Sequence, residues 1–185
     1  MNWAIAGYAG AAWAAKVFPQ SAPDQQVPQL WDAIFDVCRI KHADPVAEWQ
    51  QHIRNLDRRS DYLNAKRYAG LHYTGPGTDL AIGLADGHVW KAGATRSLTG
   101  IDFVANLPTE EVFTLPNAPH THGHVSSTKS LSYLGALMDK FTLTFENGRV
   151  VNAVAERGED ILRKILATDE GATRLGEAAL VPHRS

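Results

Sequence analysis

The hydrophobic pattern changes its period near residue 70, and this change limits the folds open to the chain. Before that point apolar side chains recur at helical spacing, as they do between Val46 and Leu63. From residue 71 onward, short apolar stretches follow a period closer to two and are separated by Gly and Pro. The sequence therefore predicts a mixed α/β (α+β) fold, mainly helical over residues 1–70 and β-rich over residues 71–185.

The first region is predicted to contain one short strand and three helices. A buried strand between Trp3 and Tyr8 leads into a helix that Phe18-Pro19 ends. Pro28 is assigned to the first turn of the second helix, and Asp44-Pro45 supplies the cap and first residue of a third helix ending near Gly70. The second helix carries an apolar stripe that consists of Leu30, Trp31, Ile34, Phe35 and Cys38.

The second region carries one strong local signal, a hairpin around Asn147-Gly148. Apolar and polar residues alternate over 141–145, Val150-Val151 starts the return strand, and Asn-Gly suits a two-residue turn. A helix is predicted over residues 159–167. Thr168 is assigned as the cap of a second short helix that would carry Glu177 near its end.

Composition narrows the class of function. The chain has 185 residues, a formal charge of -2 and no polybasic run, which gives no reason to expect nucleic acid as a partner. The apolar opening residues 1–15 lack a basic start, and no stretch reaches the length needed to span a bilayer. The single cysteine, Cys38, excludes an internal disulfide and is expected to pack as a small apolar side chain. We therefore expect a cytoplasmic protein that is not bound to a membrane.

Two acidic segments are the candidates for chemistry. Residues 106–114 place Glu110 and Glu111 after a Pro-Thr pair, and residues 169–177 end in Glu177 between Gly and an apolar run. Carboxylate oxygens suit Zn, Co, Mn or Mg ions, but a cluster needs several of them in a partly dry site. From residue type alone, solvated surface carboxylates are the commoner alternative.

These two segments, together with residues 71–80 and 142–151, resemble the thermophilic-type metallo-aminopeptidases, the family of aminopeptidase T, aminopeptidase S and PepS. The likeness covers almost the whole chain. It implies that residues 1–70 are the C-terminal portion of an N-terminal α/β domain. Residues 71–185 would then be the first part of the catalytic domain.

The resemblance also implies the site residues. Glu111 and Glu177 occupy positions that are metal ligands in the family, whose site holds two divalent metal ions and acts on the free amino end of a peptide substrate. Glu110 is given no metal role and is expected to orient its loop. The resemblance assigns no catalytic or substrate-binding residue here. It also implies a homodimer, and it places the family's remaining ligands, two His, an Asp and a Tyr, after the segment that includes His183. We therefore expect this chain to be inactive alone, with His183 structural or at the surface.

Three alternatives remain open at this point. In the first, the chain is a noncatalytic module for peptide binding or dimerisation. In the second, it belongs to a longer reading frame that encodes an ordinary peptidase. The third alternative concerns His120, His122 and His124, which could grip a metal if they lay on one face of a strand. An exposed loop is favoured for these histidines. Gly75-Pro76-Gly77 is expected to be a tight turn, because it lacks the ending of a phosphate-binding loop.

Overall fold

The computed structural model describes residues 1–133 and 135–182. The helices are α1 (Ala11–Val17), α2 (Pro23–Val37), α3 (Pro45–Lys66) and α4 (Glu159–Leu166). The strands are β1 (Ile5–Ala6), β2 (Gly70–Gly75), β3 (Thr78–Leu84), β4 (Ala94–Arg96), β5 (Asp102–Val104), β6 (Asn106–Leu107), β7 (Val112–Thr114), β8 (Pro116–Ser126), β9 (Leu131–Tyr133), β10 (Ala136–Glu146), β11 (Arg149–Arg157) and β12 (Ala178–Leu180). The predicted mixed α/β class is confirmed.

The chain divides into two compact units. Unit 1 contains Met1–Tyr62, Lys91–Val112 and the described residues from Leu180; unit 2 contains Leu63–Trp90 and Phe113–Ala179. The predicted domain boundary at residue 70 stays a prediction. His183 lies outside the described residues. No helix in the described ranges combines the length and apolarity needed to cross a bilayer.

Unit 1 is built on α1, α2 and most of α3. Its core packs buried side chains of the first two helices and their flanks against half-buried neighbours. The buried members are Ala9, Ala14, Leu30, Ile34 and Cys38. Asp44 caps α3 as predicted, since its carboxylate accepts the backbone N–H of Ala47 at 3.0 Å. Two short pairings complete the unit: β1 runs parallel to β6, and β4 runs antiparallel to β5.

Three predictions for unit 1 were wrong in detail. The opening strand is only Ile5–Ala6, and both residues are exposed, because β6 is its one partner among the described strands. Pro23, and not Pro28, occupies the first turn of α2, so that helix starts five residues earlier than predicted. Helix α3 ends at Lys66, because Arg67 adopts a left-handed φ of 49°.

Unit 2 is an antiparallel sheet with the order β11, β10, β8, β3, β2, and β9 pairs with the start of β10. Buried Leu80, Ile82 and Phe145 form one core cluster of this sheet. Met138, Ala153 and Leu162 form another, with α4 packed against β11. Strands β7 and β12 make a separate two-stranded pairing.

The hairpin at Asn147-Gly148 is confirmed. Both turn residues have positive φ values, 50° and 74°, which is the combination that a two-residue hairpin turn with right-handed strand twist requires. Helix α4 and the tight turn at Pro76-Gly77 are likewise as predicted.

Two other predictions for unit 2 were wrong. Residues 168–177 contain turns and no helix. Asp169 accepts the N–H of Ala172 at 2.8 Å as a helix cap would, but the carbonyl oxygen of Thr173 accepts the N–H of Val150 from β11, and Gly171 and Gly176 disfavour helix. The segment with the three histidines lies in β8 and is not a loop.

Candidate metal centre

Glu111 is the last residue before β7, in unit 1. Its side chain is half-buried, and among the described residues it makes no hydrogen bond or ion pair. Its oxygens are not among the buried polar side-chain atoms that lack a partner in the described part of the chain, so solvent still reaches the carboxylate. A half-buried carboxylate without a hydrogen-bond partner among the described residues is a suitable oxygen donor for a divalent cation.

Glu110, one residue earlier, has the opposite environment. Its two carboxylate oxygens accept bonds from Arg39, with Nη1–Oε1 at 2.6 Å and Nη2–Oε2 at 3.1 Å. His52 Nε2 lies 3.5 Å from Oε2 of the same carboxylate. These contacts occupy the oxygens, which supports the prediction that Glu110 orients its segment and does not bind metal.

Glu177 directly precedes β12, in unit 2. Its side chain is exposed, in contrast to that of Glu111. Tyr73 of the main sheet contacts the strand that follows Glu177, because its hydroxyl donates a hydrogen bond to the carbonyl oxygen of Ala179 at 3.0 Å. The two carboxylates therefore each precede one strand of the β7–β12 pairing. Their joint role as metal ligands stays a prediction.

The three histidines of β8 are all exposed on that strand. His122 Nδ1 accepts the backbone N–H of Asn147 at 3.4 Å, and His124 lies opposite Asp79 in the sheet register. Asp79 in turn is hydrogen-bonded to His72 at 2.6 Å, and that bond holds the pKa of Asp79 below its usual value. Across residues 1–133 and 135–182, no three side chains of His, Cys, Asp or Glu are grouped closely enough to hold a metal ion.

Sequence reasoning missed Arg39 and His52. Both lie more than 50 residues from the segment they contact: Arg39 binds Glu110, and His52 Nε2 lies 2.7 Å from the carbonyl oxygen of Thr109. Arg39 follows the end of α2 with a φ of 58°, an uncommon backbone conformation for a side chain of this size. No spacing motif in the sequence links these residues, so only the fold reveals them.

The whole chain, residues 1–185, matches the family model of the thermophilic metalloproteases, M29. The protein belongs to this family of metallopeptidases. It is 49% identical to aminopeptidase AmpS of Bacillus subtilis and 47% identical to aminopeptidase T of Thermus thermophilus. These alignments take in 100% and 98% of this chain but only 45% and 44% of the two relatives.

The fold agrees with this assignment. The structure of wild-type AmpT from Thermus thermophilus superposes on the entire chain with a TM-score of 0.91 at 45% identity, and the match covers 45% of that structure. The chain thus spans less than half the length of the relatives it matches. At this level of identity and overlap, the backbone described above is the family's fold over the shared region.

Proposed function

We propose that, in a polypeptide of the relatives' full length, this chain forms part of a metal-dependent aminopeptidase that releases N-terminal amino acids from peptides. The family match and the names of the relatives support the class of reaction. The observation that carries the site is the contrast between Glu110, paired by Arg39, and Glu111, half-buried without a partner among the described residues.

In this proposal Glu111 and Glu177 contribute carboxylate oxygens to a site for two divalent ions, drawn from Zn, Co, Mn or Mg. Bound ions would supply Lewis acidity, which lowers the pKa of water and polarises the scissile carbonyl. Glu111 is half-buried and Glu177 is exposed. Two carboxylates leave the coordination of each ion incomplete, so further ligands are required.

The wider features of the enzyme are part of the same proposal. The substrate is a peptide with a free amino end, the protein acts in the cytoplasm, and it assembles as a homodimer. Residues 71–185 would contribute to the catalytic domain and residues 1–70 to the domain before it. The noncatalytic peptide-binding or dimerisation module is the alternative that the following experiment separates from this proposal.

The test is a Mn²⁺ titration of the purified chain, with free Mn²⁺ counted by electron paramagnetic resonance. Glu111→Gln and Glu177→Gln keep the side-chain shape but remove the charge, and each should weaken binding by at least about tenfold. Glu146→Gln is the control, because Glu146 is an exposed carboxylate at the end of β10 and should not matter. Binding that is unchanged by both site substitutions would contradict the proposal and favour the noncatalytic module.

Hydrolysis of a leucyl chromogenic substrate with Co, Zn or Mg added gives a second, independent reading. The 185-residue chain should show no turnover, because two carboxylates do not complete the coordination of either ion. Metal-dependent turnover that both Glu111→Gln and Glu177→Gln abolish would show instead that no further ligands are needed.

A further inference from the structure

We infer that Arg39 is a positioning residue for Glu111, acting through Glu110. This inference rests on the proposed function, since it assumes that Glu111 takes a metal ion. Glu110 and Glu111 share a peptide unit, so any contact that fixes Glu110 also restricts the backbone from which the Glu111 side chain extends.

The contact between Arg39 and Glu110 is well suited to fixing orientation. The two terminal guanidinium nitrogens, Nη1 and Nη2, each donate to one carboxylate oxygen, and a two-point contact of this kind sets the plane of the carboxylate as well as its distance. The side chains are only 23% and 24% exposed. Partial burial lowers the screening by water, so this pair is better defined than an ion pair at the open surface.

Arg39 is itself held by its neighbours in unit 1. Its guanidinium lies 5.3 Å from the centre of the Trp49 ring, a distance at which cation and ring attract each other. Trp49 is fixed in turn, because its Nε1–H donates to the carbonyl oxygen of Cys38 at 2.7 Å. The chain of contacts therefore runs from the end of α2, through α3, to the segment that precedes β7.

His52 provides a second hold on the same segment. Its side chain is 12% exposed, and Nε2 lies 2.7 Å from the carbonyl oxygen of Thr109 and 3.5 Å from Glu110. The residues just before Glu111 are thus held at the backbone from α3 and at the side chain from the end of α2. Glu111 follows directly, and its side chain makes no hydrogen bond or ion pair with the described residues. The arrangement orients one carboxylate while leaving the next one available to a ligand.

The experiment compares Mn²⁺ binding by the whole 185-residue chain carrying Arg39→Gln or Arg39→Lys with binding by the unaltered chain. Arg39→Gln should weaken Mn²⁺ binding about tenfold, the scale found when groups that orient metal ligands are removed. Arg39→Lys keeps the charge but lacks the planar two-point contact, so it should also weaken binding, by a smaller factor. Near-ultraviolet circular dichroism checks that each variant is folded.

The direction of the effect separates positioning from simple electrostatics. Deleting a positive charge beside a cation site would by itself strengthen cation binding. Arg96→Gln is the control, because Arg96 also makes a two-point contact in the same unit, with Nε and Nη2 at 2.6 and 2.8 Å from the oxygens of Asp102, and that contact involves neither Glu110 nor Glu111. This control should leave Mn²⁺ binding unchanged.

The outcomes distinguish this inference from the function on which it rests. If Glu111→Gln weakens Mn²⁺ binding but both Arg39 variants bind as tightly as the unaltered chain or more tightly, the positioning role is wrong and the metal site stands. If Glu111→Gln has no effect, the metal assignment itself fails, and the inference fails with it. Should Arg39→Gln not fold, the folded Arg39→Lys variant decides the question by the same comparison.

Discussion

Tyr73 and Ala179 are 106 residues apart in sequence, and the hydroxyl of Tyr73 donates a hydrogen bond to the carbonyl oxygen of Ala179 at 3.0 Å. The bond joins β2 of the main sheet to β12, the strand that Glu177 precedes. One side chain therefore ties the strand beside a proposed ligand to the core cluster of Leu80, Ile82 and Phe145, against which Tyr73 packs.

Removing this hydroxyl should lower stability without changing the fold. Tyr73→Phe deletes the donor and leaves the ring in place, so we expect a loss of about 0.5–1.5 kcal/mol in the free energy of unfolding. Urea denaturation of both proteins measures this loss in the free energy of unfolding. Tyr133→Phe is the control, because Tyr133 is exposed and its hydroxyl has no partner among the described residues. Equal stability losses in the two variants would show that the bond to Ala179 contributes nothing.

The same tyrosine should give the protein a dependence on alkaline pH. Burial raises the pKa of Tyr73 above its ordinary value of 10.0, so the folded state keeps the phenol proton at a pH where the unfolded chain releases it. The stabilisation is fully present below pH 10.0 and is lost as the pH rises through the folded-state pKa. The stability difference between the unaltered chain and Tyr73→Phe should therefore shrink above that pH. A difference that stayed constant from pH 8 to about pH 11 would contradict the effect of burial.

Gly148 should not tolerate a side chain. A Cβ atom there would collide with the backbone carbonyl of Ala118, and φ is 74°, in the left-handed region. Gly87 has a similar φ of 70° with open space around it, so Gly87→Ala isolates the conformational cost, about 1–2 kcal/mol. Gly148→Ala should lose more than Gly87→Ala in thermal or urea unfolding, because the β8 backbone has to move. A loss no larger than that of Gly87→Ala would show that this contact is easily relieved.

Local signals in the sequence were enough to predict the hairpin and the start of α3. Asn147-Gly148 and Asp44-Pro45 act within a few residues, through backbone conformation and capping, and both predictions are confirmed. The predicted helix after Thr168 is wrong although Asp169 accepts the N–H of Ala172 as a helix cap would, because the carbonyl oxygen of Thr173 accepts the N–H of Val150 from β11 instead. A capping signal in the sequence therefore did not outweigh a backbone bond that only tertiary packing creates.

The candidate site was predictable only in part. Glu111 and Glu177 were named through likeness to a family, because 66 residues separate them and spacing carries no information at that distance. The residues that distinguish Glu110 from Glu111 come from helix ends far away in sequence. A long-range ion pair of this kind follows from tertiary packing, and tertiary packing leaves no periodic trace in the sequence.

The single thiol has a consequence for experiment. Cys38 is 2% exposed at the end of α2, and burial raises its pKa above the ordinary value, so its reactive thiolate form is scarce in the folded protein. Modification by a thiol reagent therefore requires unit 1 to open around α2. The rate of that modification would report how often this region opens under native conditions, without any introduced label. Cys38 is thus a native probe of local unfolding in the unit that carries Glu111.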